Sequence, residues 1–476
     1  MPCHFDKAFF FYQSYSFAIV ITYWKEVKIM KTEELTIKWL EKDREKYLQD
    51  PKNTIIRHAL SETGFNYVFQ SHDNLEDNQF VFSIDVPTLP VTNQKSSGRC
   101  WIFSASNLLR EMIAKKCNIK GQFEISQNFI AYYDKLEKFN YFAQNLIELC
   151  ESGAKHDDRK VAFLLGGVGD GGQWQMYVEL VKKYGICPKA AFDETTQSSN
   201  TRGSSDLCNS GLREFASKVW KSWAANKDHD KLMKLKEEFV DKIYSVLTSS
   251  FGVPPQSFDF EYVDKDDNYH IEPGLTPLEF FNKYIGEEID DFVSVIHGPT
   301  KDKKYNKTYQ IEYVGNVYGG KPVTHLNISF ERMEKAIINQ LKDGEIVWFG
   351  SDVGKCGDRE RGIWATEMFD YQTPFGLTKV FDKADMLDFY QAAMNHAMCI
   401  VGVDLKKGKP VRWKIENSWG STNGDSGFYL MSEAFFRAFT FQAAIRKKYL
   451  VKEELEALEK EPKLLPPWDP FGTLAD

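Results

Sequence analysis

Three residues that lie far apart in the sequence carry the side chains needed for thiol-based acyl transfer: Cys100, His396 and Asn417. Cys100 follows a polar, glycine-containing loop and precedes apolar residues at helical spacing, so we expect it at the N-terminus of a buried helix. A helix N-terminus and a nearby imidazolium both favour the thiolate, the nucleophilic form of cysteine. The pattern therefore predicts a nucleophile at Cys100 rather than a structural thiol.

His396 and Asn417 are expected to complete the site from the β-rich part of the chain. The Asn417 amide oxygen can accept the Nδ1–H of His396, which would turn Nε2 toward the sulfur. Gln94, in the loop before Cys100, can donate to an oxyanion together with the Cys100 backbone N–H. Trp419 is expected beside the substrate, where it would also shield the His396–Asn417 hydrogen bond from water.

The elements that must position these residues indicate an α+β fold. Periodicity predicts helices over residues 101–113, 126–140, 173–184 and 230–247, and strands over residues 344–350, 397–403, 411–416 and 427–431. On this basis the chain divides into a leader at 1–29, a helical half at 30–200, a mainly helical insertion for oligomerisation at 201–335, a β-rich half at 336–462 and a tail at 463–476.

Composition narrows the class of protein. The 476 residues carry a net charge of −8, which argues against a general nucleic-acid-binding surface. The eight cysteines are sparse and form no C-x-x-C pair, so reduced thiols in the cytoplasm are expected. The nine histidines show no metal-ligand spacing, so we expect no metal or other cofactor.

The leader contains an uncharged, aromatic-rich run at residues 8–24. No small-residue cleavage site follows it, and an amphipathic helix pattern begins after Met30. We interpret residues 1–29 as a start-site artefact or a disordered extension, with translation beginning at Met30. A short membrane anchor and a signal peptide are the alternatives, and no stable membrane association is expected.

Residues 167–172 (Gly-Val-Gly-Asp-Gly-Gly) formally match the G-x-G-x-x-G pattern of dinucleotide-binding proteins. Asp193 lies near the distance at which such a site needs an acid, but no second parallel strand follows. We therefore predict a tight loop that lines the substrate cleft, with Gly171 and Gly172 at the substrate.

Five segments in order resemble the bleomycin hydrolase / bacterial aminopeptidase C family of papain-like cysteine peptidases. They are residues 93–103 (Asn-Gln-Lys-Ser-Ser-Gly-Arg-Cys-Trp-Ile-Phe), 169–174 (Gly-Asp-Gly-Gly-Gln-Trp), 395–398 (Asn-His-Ala-Met), 416–420 (Glu-Asn-Ser-Trp-Gly) and the tail 468–476. Each motif is moderately specific, whereas the ordered set is very specific. The resemblance covers the chain from about residue 30 to its end.

The resemblance implies a papain-like fold with large insertions, assembled as a homohexameric barrel whose active sites face an inner chamber. It also implies that the terminal carboxylate at Asp476 limits entry to the cleft and pairs with the free N-terminus of a peptide. The resulting expectation is a cytoplasmic aminopeptidase acting on short peptides, with Gln94, Cys100, His396 and Asn417 in the family's catalytic roles. Phe471 and Thr473 vary the family's usual tail.

Three alternatives remain beside this expectation. An endopeptidase of the same family would result if the tail left the cleft open. A transglutaminase-like acyltransferase also uses a Cys–His pair, but usually with an acid as third member, which Asn417 is not. A non-catalytic, nucleic-acid-binding barrel would not need Cys100, and the net charge disfavours it.

Overall fold

The computed structural model describes residues 34–71 and 79–475. The leader run at residues 8–24 and the terminal Asp476 lie outside these residues. The chain divides into two compact units, Met1–Phe69 and Gln70–Asp476. In the described part of both units, no helix has the length and apolar character needed to cross a membrane.

The described part of the first unit consists of three helices, Ile37–Gln49 (α1), Pro51–Glu62 (α2) and Phe65–Val68 (α3). The Thr36 hydroxyl caps the first by accepting the Trp39 N–H at 3.1 Å, and Pro51 opens the second, a position where its missing N–H costs nothing. The first helix ends at Gln49, two residues before Pro51. None of the three helices has a buried side chain.

Twelve further α-helices lie in the described part of the second unit. They are Cys100–Lys116 (α4), Gln127–Glu151 (α5), Arg159–Gly166 (α6), Trp174–Tyr184 (α7), Arg202–Asn226 (α8), His229–Phe251 (α9), Pro277–Tyr284 (α10), Phe330–Lys342 (α11), Gln372–Phe375 (α12), Lys383–Asp388 (α13), Glu433–Phe439 (α14) and Lys452–Leu458 (α15). The four helices predicted from periodicity are all present, and the second of them runs to Glu151 rather than ending near residue 140.

The described strands form one hairpin and one large sheet. The hairpin pairs Phe258–Val263 (β2) with Tyr269–Leu275 (β3). The sheet contains Ile84–Asp85 (β1), Phe292–Ile296 (β4), Lys307–Ile311 (β5), Thr324–Asn327 (β6), Val347–Ser351 (β7), Gly357–Asp358 (β8), Ile363–Trp364 (β9), His396–Lys406 (β10), Lys409–Glu416 (β11), Phe428–Ser432 (β12), Thr440–Arg446 (β13) and Lys463–Leu465 (β14). Its order is β14-β5-β6-β4-β13-β7-β10-β11-β12-β9-β8, with β1 beside β10.

The four predicted strands form an antiparallel run, β7-β10-β11-β12, in the middle of this sheet. Nine consecutive residues of β10, His396 through Asp404, are buried, because the strand is covered on both faces. This strand carries His396 at its first position, and β11 ends one residue before Asn417. The sheet therefore brings the two side chains to neighbouring strand ends.

Residues 201–335, expected to form an insertion, have a mixed structure. Their first part is the helix pair α8 and α9, which pack on α5. Their last part contributes β4, β5 and β6 to the large sheet, with β4 paired antiparallel to β13. The end of this segment is thus part of the sheet that carries the site, and its helical part also contributes buried residues, such as Leu212 and Phe239, to the hydrophobic core.

Helix α4 lies against β10 and β7 and is buried over most of its length. Trp101, Ile102 and Phe103 have almost no exposed surface, so the first turn is fixed from every side. The Trp348 indole N–H on β7 donates to the Trp101 carbonyl at 3.3 Å. This packing places Cys100, the first residue of α4, at the junction between the helices and the sheet.

Candidate active site

The loop before Cys100 is held by charged and polar contacts on both sides. Arg99, which precedes the helix, is buried and makes two hydrogen bonds of 3.1 and 2.9 Å to the Glu194 carboxylate. The Gly98 N–H donates to Asp170 Oδ2 at 2.9 Å, and a Cβ at Gly98 would lie 2.8 Å from the Asp170 Cβ. A glycine is therefore required for this close approach.

The structure brings Cys100, His396 and Asn417 together. The Ala397 N–H donates to Cys100 Sγ at 3.4 Å, so the residue that follows His396 contacts the sulfur directly. His396 Nε2 and Asn417 Oδ1 are 2.9 Å apart. The expectation that Asn417 holds Nδ1 is wrong: Asn417 holds Nε2, and Nδ1 is the ring nitrogen left for the sulfur.

Trp419 covers the pair as expected. Its ring stacks on the His396 imidazole with centroids 4.7 Å apart and an interplanar angle of 27°. The Arg359 guanidinium lies over the Trp419 ring, 4.5 Å from its centre, and makes a cation–π contact with it. Arg359 was not expected from the sequence, because it lies in no motif and reaches the site only through the tertiary fold.

Burial opposes ionisation of both groups in the pair. It raises the pKa of the Cys100 thiol from 9.0 to about 11, although the N–H groups of Ala397, Trp101 and Cys100 act in the opposite direction. It lowers the pKa of His396 from 6.5 to about 4, against the effect of the Asn417 hydrogen bond and with a smaller contribution from Arg359. The expected depression of the thiol pKa by the helix end is therefore outweighed by burial.

Either group ionising alone would place an unpaired charge in this buried site. Transfer of the proton from Sγ to the imidazole creates both charges at once, and their mutual attraction offsets part of the desolvation cost. The N–H groups directed at the sulfur stabilise the thiolate, and the Asn417 amide oxygen stabilises the imidazolium. The arrangement thus suits a pair that shares one proton.

Gln94 is tied to the segment that carries Asn417. Its backbone N–H donates to the Ser418 carbonyl at 2.9 Å, and its side-chain Oε1 accepts the Ser418 hydroxyl at 2.6 Å. Its Nε2 donates to the Ser97 carbonyl at 2.6 Å, which uses one of the two amide hydrogens. The other hydrogen is the one that an oxyanion beside Cys100 could accept.

The glycine loop at residues 167–172 lies against the start of α4. A Cβ at Gly172 would come within 2.4 Å of the Trp101 ring, and the Trp101 indole donates to the Asp170 carbonyl at 2.7 Å. The Lys138 ammonium donates to the Gly171 carbonyl. The structure thereby places the two expected substrate-contacting glycines beside the helix that begins with Cys100.

Asp170 and Lys135 form a buried ion pair that the sequence motifs did not predict. Their charged groups are 2.6 Å apart, and the side chains are 14% and 3% exposed. Lys135 and the hydrogen bonds from Thr201 and Gly98 hold the pKa of Asp170 well below its usual range despite burial. Asp170 lies in the glycine-rich segment 167–172, but its partner Lys135 is on α5 and could not be predicted from sequence spacing.

The C-terminal tail contacts both halves of the molecule at this site. On the helical side, Gln173 Nε2 donates to the Phe471 carbonyl at 3.1 Å. On the sheet side, the Thr473 hydroxyl donates to the Met394 carbonyl at 2.9 Å. The Leu474 side chain reaches Gly350, the strand partner of Ala397. Asp476, the expected substrate contact, lies outside the described residues.

Comparison with known proteins identifies the family. The profile of the Peptidase C1-like family matches residues 34–472. The chain belongs to the Peptidase C1-like family. It is accordingly a cysteine peptidase, as the Cys–His–Asn constellation predicted.

Individual relatives extend over nearly the whole chain. Aminopeptidase C of Lactobacillus delbrueckii subsp. lactis is 42% identical over 93% of this chain and 99% of its own length. Aminopeptidase C of Listeria monocytogenes is 39% identical with the same coverage. The crystal structure of PepW from Lactobacillus rhamnosis superposes with a TM-score of 0.89 at 40% identity, covering 92% of this chain and 99% of PepW. The predicted papain-like α+β fold of this Peptidase C1-like member is confirmed.

Proposed function

We propose that this cysteine peptidase is an aminopeptidase that releases N-terminal residues from short peptides. In the proposed reaction the Cys100 sulfur attacks the scissile carbonyl while its proton passes to Nδ1 of His396. Asn417 keeps the ring oriented, and the Gln94 amide and the Cys100 N–H bind the oxyanion. The His396 imidazolium then protonates the leaving amine, and a water molecule that His396 deprotonates hydrolyses the thioester.

The single observation that supports an aminopeptidase over an endopeptidase is the path of the tail. Residues 471–474 contact Gln173 on one side of the site and Met394 and Gly350 on the other. A tail in this position leaves room for few substrate residues before the scissile bond. The terminal carboxylate of Asp476 would complement the α-ammonium of a peptide, which a blocked peptide lacks.

Gly171, Gly172 and Trp419 are proposed to contact the substrate. Both glycines adjoin the first turn of α4, and Trp419 stacks on the His396 ring. The family and its relatives do not favour the transglutaminase-like alternative. An endopeptidase remains the outcome expected if the tail does not restrict the cleft.

A truncation tests this proposal. We expect the full chain to hydrolyse aminoacyl-coumarins and to be much slower on N-acetylated dipeptidyl-coumarins. Deletion of residues 473–476 should raise activity on the acetylated substrates and lower it on the free ones. Cys100→Ala should abolish both activities and serves as the control for contaminating peptidases. A full-length enzyme that cleaves acetylated and free substrates equally well would contradict the aminopeptidase assignment.

We also propose a homohexamer in the cytoplasm. The described helices of the first unit expose large apolar side chains, among them Ile37 at 76% and Ile55 at 70%, and such residues are candidates for contacts with further copies of the chain. The seven cysteines in the described residues are free thiols, as suits a reducing compartment.

A further inference from the structure

A buried ion pair holds the middle of the tail. Lys303 Nζ and Asp469 Oδ2 are 2.7 Å apart, and their side chains are 3% and 5% exposed. The Lys303 ammonium also lies 2.9 Å from the half-exposed Asp302. Burial alone would lower the pKa of Lys303, but the two carboxylates raise it above its ordinary value, so the ammonium stays charged. A charge this deeply buried depends on its partners.

Asp469 also shapes the turn that leads into the last residues of the tail, Pro470–Ala475. Its Oδ1 accepts the Phe471 N–H at 3.0 Å, its carbonyl accepts the Gly472 N–H at 2.9 Å, and its own N–H donates to the Pro466 carbonyl at 3.0 Å. One carboxylate therefore binds Lys303 with one oxygen and fixes the start of Pro470–Ala475 with the other.

The residues that follow Asp469 have a fixed length and direction. Pro470–Ala475 form a 3₁₀ helix of 6 residues, which spans about 12 Å at the usual rise of about 2.0 Å per residue. The Phe471 ring packs so closely on Gly298 that a Cβ there would come within 2.8 Å of it. The position of Asp469 therefore sets where Leu474 lies beside Gly350.

We infer that the Lys303–Asp469 pair is the positioning contact that sets the reach of the tail into the cleft. Neither residue touches the reacting atoms; the pair acts through the tail. This inference rests on the proposed aminopeptidase function, because it explains how the distance between the chain end and the scissile bond is kept constant. Without the pair, the tail would leave the cleft for part of the time, and peptides with blocked N-termini would gain access.

The test compares variants of the full-length enzyme. Asp469→Asn keeps an oxygen that can accept the Phe471 N–H but removes the charge, and Lys303→Gln removes the charge from the other side. The matched control is Asp343→Asn, which breaks an exposed pair with Lys448 of similar length, 2.8 Å, with side chains 51% and 54% exposed. We expect the ratio of kcat/KM on acetylated to free substrates to rise about tenfold or more in the first two variants, since loss of one partner leaves the other charge unpaired and favours release of the tail from its buried position. The control should leave this ratio unchanged.

A second readout does not depend on peptidase activity. Carboxypeptidase should release the C-terminal residues of the folded Asp469→Asn variant about tenfold or more faster than those of the wild type, because the freed tail is more accessible. Wild-type protein without aminopeptidase activity would overturn the proposed function while leaving this readout intact. If Asp469→Asn showed the same rate of tail release and the same ratio of kcat/KM values as the control Asp343→Asn, the positioning role would be overturned. Failure of both variants to fold would also overturn it, because a contact that only positions a tail is dispensable for folding.

Discussion

At the scale of single residues, Cys100 and His396 are each 5% exposed and lie where solvent can stabilise little charge. The pKa of the thiol is raised to about 11 and that of the imidazole is lowered to about 4. Between these limits the pair as a whole keeps one proton, and the titration belongs to the pair rather than to either residue. The hydrogen bonds to Sγ and to Nε2 then decide how much of the pair is thiolate and imidazolium.

Gln94 offers a test of oxyanion binding that leaves the nucleophile intact. We expect Gln94→Ala to lower kcat by about 100-fold or more, because one donor to an oxyanion contributes about 3 kcal/mol or more to transition-state stabilisation. The rate of Cys100 alkylation should stay within about twofold of wild type, since alkylation forms no oxyanion. Steady-state kinetics and mass spectrometry of the Cys100 peptide measure the two rates. If kcat and the alkylation rate fell by the same factor, Gln94 would act on the thiol and not on the oxyanion.

The sequence was sufficient to predict that Cys100, His396, Asn417 and Gln94 lie together, because each is in a segment with a recognisable pattern of neighbours. The ring nitrogen held by Asn417 could not be predicted, since it depends on how β10 and β11 end relative to each other. The contact from Arg359 also depends on tertiary structure alone. Burial of the site, and hence the direction of the thiol pKa, follows from packing that no local motif encodes.

At the scale of elements, the first turn of α4 and the glycine loop must fit each other. A Cβ at Gly172 would lie 2.4 Å from the Trp101 ring, whereas one at Gly166 would meet nothing within 4 Å. We expect Gly172→Ala to destabilise the protein by about 1–3 kcal/mol through overpacking and to reduce activity by displacing the loop. Gly166→Ala is the matched control. Thermal unfolding followed by circular dichroism checks this, and equal Tm values for both variants would contradict the close fit.

Helices were predictable where a long apolar period marks a buried face, as in α4 and α7. The strands of residues 292–327 were missed as part of the sheet because they are short and because β4, which joins them to its centre, pairs with β13 more than 100 residues later in the chain. Charged sequence around them resembled an exposed insertion. Pairing between strands that are far apart in the sequence depends on the whole fold and produces no local sequence pattern.

At the scale of the whole molecule, the exposed apolar residues of the first unit are proposed to form contacts between copies of the chain. We expect the double variant Ile37→Asp/Ile55→Asp to shift the sedimentation coefficient from that of the proposed hexamer toward smaller species, because burial of each isoleucine in an interface contributes about 1.5–3 kcal/mol. Val253→Asp, at a residue that is 74% exposed in the second unit, serves as the control. A hexamer that survives the double variant would exclude these helices from the interface.

The most direct test of the account is the pH dependence of Cys100 alkylation by iodoacetamide in the wild-type enzyme. A pair that holds one proton between about pH 4 and about pH 11 has a constant thiolate fraction in this range. We predict a rate that changes by less than about threefold between pH 6 and pH 8, and a His396→Gln variant whose rate is lower and rises about tenfold per pH unit, as for a lone thiol with a high pKa. A wild-type rate that rises about tenfold per pH unit, equal to that of His396→Gln, would contradict the proposed proton-sharing pair.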